Sequence, residues 1–360
     1  MSIRARINGE DIFSFKMDKD SWHELKASYK EKSLLMPCCD SKAIPKVSKL
    51  NNYFFAHSRK GPCSSAPETP EHIYLKTLIA KQAVSLGWDV VTERTGETPN
   101  GEQWIADVFC TKGKAQLALE VQWSSQTQDE FRRRQDKYDS SDVRAAWLYR
   151  LKNNKEYSVS HYNSNDDDLP YEHKIPVFGI KYRPDSKDLY VPQFDVSIDD
   201  FVRGMLQGKL KWSPIKEEML IAKLIPYSWR CWKCEKFTKV ILAVSLHNQM
   251  GKVVMFEDFG SGQIAEFIAR HVNNQILASC GVGSLKSRYS KTEGRSYISN
   301  SCRHCNALMG NHFISQKSRY LSLYGEYPKP FMEFTVNYGE DTPKIKGDWY
   351  FEGVQSKSYF

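Results

Sequence analysis

Apolar and polar residues change their spacing in step with turn signals over residues 69–150, and the changes predict six elements. Thr69, Pro70 and Glu71 read as an N-cap, a first helical residue and a first-turn acid. A helix therefore opens there and runs to about Leu86, stopping at Gly87. Residues 88–93 read as a strand, and the loop 95–102 holds the turn Thr98-Pro99-Asn100-Gly101. Residues 103–109 and 115–123 read as two more strands, joined by a short turn at Thr111, Lys112 and Gly113. A strongly charged helix over 127–139 and a buried strand over 143–149 complete the order helix, strand, strand, strand, helix, strand.

The flanks read differently. Residues 1–30 suggest a small hairpin around Asn8-Gly9 and a short helix near 22–30. Residues 34–63 form a Cys/His module rich in Lys and Ser, followed by a flexible stretch at 64–67. Residues 151–187 are polar and turn-rich, and Asn165-Asp166-Asp167-Asp168 has the look of a solvated loop, without the glycine and closing glutamate of a calcium loop. An amphipathic helix is expected over 198–209, and a new unit near residue 215. The domains expected are 1–67, 68–190, a linker helix in 191–214, and 215–360.

Three polar residues stand out inside the apolar strands. Asp107 lies in the middle of one, and Glu120 and Gln122 in the next. Burying an unpaired carboxylate is costly, and a bound metal ion removes that cost. Glu120 and Gln122, two apart, share a strand face. In a hairpin, Asp107 converges on Glu120. Two carboxylates with a backbone oxygen, here the Val121 carbonyl, make a typical Mg²⁺ (or Mn²⁺) site, and such an ion beside a phosphate supports hydrolysis. The bland alternative is a pair of edge acids facing solvent or paired with Lys or Arg.

Bulk composition narrows the setting. At 360 residues, 41% of them hydrophobic, the chain is long enough for two or three cores. A net charge of +8 permits a polyanionic partner without demanding one. No apolar run is long enough to span a bilayer and the N-terminus lacks a signal-peptide pattern, so a cytoplasmic protein without membrane contact is the expectation. Nine cysteines then read as ligands more readily than as disulfides. Cys231-Trp232-Lys233-Cys234 and Cys302-Arg303-His304-Cys305 form two CxxC knuckles, the signature of a closed, structural Cys₄ zinc site. The interval between them suits an inserted sub-domain with a helix over 263–275. Cys38, Cys39, His57 and Cys63 make a second, weaker zinc candidate, while Cys110 and Cys280 stand alone.

The element order with Asp107 and Glu120-Val121-Gln122 resembles the PD-(D/E)xK nuclease fold, a mixed α/β (α+β) core. More specifically, residues 34–150 resemble the CoiA family of competence-related nucleases. The resemblance is carried by Phe54-Phe55-Ala56-His57, Glu71-His72 with Lys76, Ala106-Asp107-Val108, Glu120-Val121-Gln122-Trp123-Ser124, Arg134 with Tyr138, and Ala146-Trp147-Leu148. It implies a metal-dependent nuclease core behind an N-terminal zinc-like module, with glutamine in place of the motif lysine. Two residues depart from the pattern: Met36 stands where the module's first cysteine is expected, and Phe54 where a histidine is.

The expected roles follow. Asp107 and Glu120 ligate the metal, and Gln122, which cannot titrate, orients water or phosphate. Glu71 or His72 completes the metal shell, with Glu68 as a competing acid. Arg134 and Tyr138, four apart on one helical face, hold backbone phosphates, while Arg132 and Arg133 point to solvent. Lys76 either reaches a phosphate or is solvated. The function expected is a metal-dependent DNA nuclease in bacterial recombination, uptake or defence, acting alone, as a homo-oligomer or with a partner protein. The alternatives are a non-catalytic, zinc-containing nucleic-acid-binding protein and an RNA-cleaving enzyme on the same fold.

Overall fold

The structure is a computed structural model that describes residues 1–59, 68–124, 126–151, 175–186, 188–291, 293–339, 342, 343, 345 and 347–354. Cys63 and the loop at 165–168 lie outside the described residues. The chain forms two units, one of residues 1–210 with 351–360 and one of residues 211–350.

The first unit opens with the expected hairpin, β1 (Arg4–Ile7) against β2 (Glu10–Phe13), turning at Asn8 and Gly9, both in the left-handed region. The helix α1 (Lys19–Ser28) is capped by Asp18, whose carboxylate accepts from the Ser21 N–H. The short strand β3 (Leu34–Leu35) joins β1, and β4 (Ala43–Val47) pairs with β5 (Tyr53–His57). Trp22, Met36 and Phe55 are buried at the centre of this small core.

Thr69 caps the helix α2 (Pro70–Ser85) through its hydroxyl, as its position before Pro70 predicts. Three antiparallel strands follow: β6 (Asp89–Glu97), β7 (Gln103–Lys112) and β8 (Ala115–Gln122). The helix α3 (Gln128–Ser140), capped by Thr127, crosses to β9 (Arg144–Arg150), which runs parallel to β8. The sheet continues through β10 (Val177–Tyr182), β11 (Leu189–Val191) and β12 (Val196–Ser197), in the order β12-β11-β10-β9-β8-β7-β6. Phe131 and Tyr138 of α3 pack with Ala106, Ala118, Ala145 and Trp147, so alternate residues of β8 and β9 bury one sheet face beneath α3.

The helix Ile198–Leu206 is a correction to the expected linker. Its Ile198, Phe201, Val202 and Met205 are buried, and Phe201 packs with Phe178, Phe194 and Phe351. It belongs to the first unit because its apolar stripe is covered there. Phe351, expected in the C-terminal domain, returns to the same cluster.

After the short strand β13 (Leu210–Ser213), the second unit is built on an antiparallel sheet of β16 (Val253–Asp258), β15 (Phe237–His247), β14 (Met219–Arg230) and β20 (Met332–Asn337), in that order. Between β16 and β20 come the helices Gly262–His271 and Asn274–Ser279, a small sheet of β17 (Lys286–Ser290), β18 (Arg295–Ser301) and β19 (Leu308–Met309), and the helix Asn311–Tyr324. The buried amide of Asn300 pairs with both backbone groups of Ile241 and ties β18 to β15.

Candidate active site and cysteine centre

Asp107 lies where β7 parts from β8. The β7–β8 ladder ends at Val108 and Leu119, and the Asp107 carboxylate takes the place of the next rung, accepting the Val121 N–H at 2.9 Å. Across β6 the register sets Asp107 opposite Glu93, which takes a positive φ of 46°. This break in two strands opens the sheet toward α2.

From α2, His72 and Lys76 reach the opening, one helical turn apart. His72 Nε2 lies 3.4 Å from Asp107 Oδ2. Lys76 Nζ is 3.0 Å from Glu68 Oε1 and 3.6 Å from Asp107 Oδ1, and it donates to Glu93. The Lys76 side chain is 0% exposed. That corrects the expectation of a solvated or phosphate-reaching lysine: Lys76 lies within the buried stripe Ile73, Lys76, Ile79, Ala80, Ala83, and three carboxylates compensate its charge. Burial alone would lower its pKa, but Glu93, Glu68 and Asp107 together hold it well above the usual lysine value.

Donor atoms of Glu68, His72 and Asp107 converge within 4.8 Å of one another. Glu68 Oε2 and His72 Nε2 are buried with no hydrogen-bond partner. Glu68, Glu93 and Asp107 carry three negative charges and Lys76 one positive, leaving two uncompensated when His72 is neutral. Two orphaned donors and a charge of about −2 fit a divalent cation. Asp107 remains ionised: burial opposes this, but His72, Lys76 and the Val121 N–H hold it below the usual carboxylate range.

Glu120 does not belong to this donor group. It is 2% exposed, held at 2.6 Å by Arg134 Nη2, and it accepts the Tyr138 hydroxyl. Burial and the negative charge of Asp107 push it up to about 7, against the pull of Arg134 and Tyr138. The two acids expected to form one metal pair thus sit in different surroundings, Asp107 facing α2 and Glu120 facing α3. Arg134 and Tyr138 likewise turn inward to Glu120 rather than outward to a phosphate, and Tyr138 is 1% exposed. Arg134 is still partly open, and with Arg133 and Lys137 it borders a pocket of about 280 Å³ beside Gln103–Ile105.

Gln122 donates to the carbonyl and hydroxyl of Ser124, at 2.8 and 3.0 Å. Glu71 is half-buried and raises the pKa of Tyr182, second to burial, rather than joining His72. Glu93 is the site residue that the sequence reading missed. Counting outward from the turn at Asn100 places it opposite Asp107, so the signal was present.

In the second unit the four expected cysteines come together. Cys231–Cys305 and Cys234–Cys302 sulfur separations are 3.6 and 3.7 Å, and all four thiols are free. A tetrahedron with metal–sulfur bonds of about 2.3 Å has edges of about 3.8 Å, so the four thiols fit zinc. Both pairs sit in the same turn. The first Cys N–H bonds the carbonyl five residues on, and the residue after the second Cys, Glu235 or Asn306, is left-handed and bonds back to the first Cys carbonyl. Backbone N–H groups of Lys233 and His304 point at Cys231 and Cys302 sulfur. Burial opposes ionisation of Cys302, but the N–H groups of Cys305 and His304 and the neighbouring thiols bring it down to about 6. The Cys302 sulfur is thus prepared for thiolate ligation, whereas at Cys234, against the pull of the Lys236 N–H, burial and the neighbouring thiols push the thiol up to about 12, a proton that a bound metal would displace.

The N-terminal module keeps this turn without its first thiol. The Met36 N–H bonds the Ser41 carbonyl, the Asp40 N–H bonds the Met36 carbonyl, and Asp40 is left-handed. Met36 itself is 1% exposed, packed in the core. Cys38, Cys39 and His57 still cluster, with Cys38 sulfur 3.7 Å from Cys39 and 3.5 Å from His57 Nε2.

Among the described residues no helix is long and apolar enough to cross a membrane. Residues 68–198 match the family model described as competence protein CoiA, nuclease-like domain. No curated protein and no solved structure matches the chain. The matched span holds Glu68, His72, Asp107, Glu120, Gln122, Arg134 and Tyr138 and ends before the C-terminal cysteines. On this match and the mixed α/β fold that carries it, residues 68–198 are similar to the nuclease-like domain of the CoiA family.

Proposed function

We propose that this protein is a nuclease that hydrolyses phosphodiester bonds in nucleic acid, DNA first, with Mg²⁺ or Mn²⁺ at Glu68, His72 and Asp107. The observation that carries the reading is the convergence of these donors, two of them orphaned and buried, where β7 separates from β8. A bound divalent ion would lower the pKa of a water and polarise a phosphate oxygen. Asp107 stays charged at neutral pH and is fixed by the Val121 N–H, so its second oxygen keeps one direction. Lys76 holds Glu68 and Glu93 in place and supplies positive charge behind the site. Gln122 contributes at most a neutral amide, and orienting water or phosphate requires it to leave Ser124. The Cys₄ cluster of the second unit would hold a structural zinc, closed by four thiolates.

One observation favours a second reading, a non-catalytic nucleic-acid-binding protein. Glu120, the motif acid, is already neutralised by Arg134 and Tyr138. A cleavage assay on defined single- and double-stranded DNA and RNA, with Mg²⁺, Mn²⁺ and chelator, separates the two. Metal-dependent cleavage that Asp107→Ala abolishes supports the nuclease. Binding without cleavage under all these conditions overturns it.

A further inference from the structure

The basic charge of the chain is not shared evenly. Residues 211–350 hold 19 Lys and Arg against 12 Asp and Glu, a net +7 of the whole chain's +8. The unit with the candidate active site is therefore nearly neutral and offers little general attraction for a polyanion. A zinc–tetrathiolate centre would take two charges from the second unit and leave it at about +5.

Exposed aromatic rings gather on this same unit. Trp232 is 71% exposed, yet its orientation is fixed, because its indole N–H donates to the Leu308 carbonyl at 2.8 Å and the cysteine turn holds its backbone. A cleft of about 1020 Å³ runs from Trp232 to Phe313 and is bordered by Arg230 and Arg295. Among the described residues, Arg230 pairs with the exposed Glu235 and Arg295 with the exposed Glu293. Such pairs are weak and readily exchanged for phosphate. From Phe313 the helix Asn311–Tyr324 carries on the line: Phe313, Lys317, Tyr320 and Tyr324 are spaced four, three and four apart, on one face. The three rings are 60%, 54% and 75% exposed. Lys317 Nζ lies 4.7 Å from the Tyr320 ring centre and 4.9 Å from that of Tyr227. The helix buries Ile314, Ser318 and Leu321 instead and leaves these three rings exposed among the described residues.

Rings in a row, interleaved with cations on a basic unit, are the chemistry of base stacking with phosphate pairing. We infer that the cleft between Trp232 and Phe313 and the adjoining Phe313–Lys317–Tyr320–Tyr324 face bind single-stranded nucleic acid. Bases stack on the rings, and Arg230, Arg295 and Lys317 meet the backbone. The helical stretch from Phe313 to Tyr324 is about 16 Å long, room for four or five stacked nucleotides at about 3.4 Å each. Duplex ends its base faces inside its own stack and fits such rings poorly. The inference rests on nucleic acid being the substrate, but not on cleavage.

The test measures binding alone. Full-length protein carrying Asp107→Ala, so that no cleavage intrudes, is titrated into labelled 12-nucleotide oligothymidylate, oligouridylate and a duplex of equal length. The single strands bind more tightly than the duplex, and their ratio tells DNA preference from RNA preference. Phe313→Ala and Tyr324→Ala, both at exposed positions, each weaken single-strand binding roughly tenfold, and Phe313→Trp restores it. Unchanged single-strand affinity in the Phe313→Ala/Tyr324→Ala double variant overturns the inference. So does light scattering that shows a dimer split by the same variants, which would make the face a contact between two copies. Cleavage by the otherwise wild-type chain is scored separately, so an inactive but binding protein counts against the nuclease alone.

Discussion

Arg134 Nη2 sits 2.6 Å from Glu120 Oε2, and this one contact divides the two strand acids into different roles. Glu120 is committed to α3, whereas Asp107 faces α2 with His72 and the charge of Lys76. The donors that could hold a metal ion, Glu68, His72 and Asp107, therefore lie on the Asp107 side. Asp107→Asn is expected to weaken Mn²⁺ binding at least tenfold by calorimetry, and Glu120→Gln to leave it nearly unchanged. Glu120→Gln instead removes a carboxylate that burial and Asp107 push up to about 7, so the decline in stability that its ionisation causes as pH rises from 4.5 toward 7 should disappear in the variant. Equal loss of metal in both variants would return Glu120 to the ligand set.

Lys76→Met tests whether the lysine is a keystone of the acid cluster. Three carboxylates would be left around a fully buried position without a compensating charge. Stability in chelator is expected to fall by about 3–5 kcal/mol. Added Mg²⁺ should recover more stability in this variant than in the wild type, because the ion replaces the missing charge. A loss in chelator below about 1 kcal/mol would mean the lysine is not needed in the fold and would reopen a surface role.

His72 gives the site a pH dependence whose sign is fixed. Burial pulls its pKa down, but Asp107 and Glu68 prevail over burial and Lys76, and the value is raised above 6.5. A raised histidine stabilises the fold below the unfolded value, and that contribution is lost as pH climbs through the folded one. Without metal, thermal stability should thus decline across the neutral range, and His72→Gln should flatten that decline. With Mn²⁺ the trend reverses, because the ion competes with the proton on Nε2 and binds better at higher pH. A wild-type profile that His72→Gln leaves untouched, with and without Mn²⁺, would remove His72 from the site.

Much of this was open to reading from residue patterns, and the failures have local causes. The Thr69 cap, the turns and the strand spacing fix α2, β7 and β8 because each rests on nearby residues. Lys76 was misplaced because a lysine on a helix is normally solvated. Its membership of the stripe with Ile79, Ala80 and Ala83 becomes decisive only once three acids are known to surround it. The partner of Glu120 was hidden for a similar reason: Arg134 shares a helical face with Tyr138, but whether that face looks inward depends on how α3 crosses the sheet. Glu93 needed the β6–β7 register, and Phe351 needed a return of the chain over more than a hundred residues.

Cys231 and Cys302 open turns of the same hydrogen-bonding pattern, and Met36 opens a third in which a thioether is buried in place of a thiol. If the turn itself presents sulfur to metal, purified protein should carry one tightly held zinc in the second unit. Cys234→Ser or Cys302→Ser should release it and make residues 211–350 protease-sensitive, since binding energy at such a site is also folding energy. Met36→Cys should act in the opposite sense. It costs about 1–3 kcal/mol of packing without metal, but restores a CxxC pair with Cys39 near His57 and Cys38. Zinc content should then rise by about one ion per chain, measured by elemental analysis after exhaustive dialysis. A variant that folds yet gains no zinc would show that the N-terminal turn has lost more than its first cysteine, and a wild type without zinc would remove the tetrathiolate centre as well.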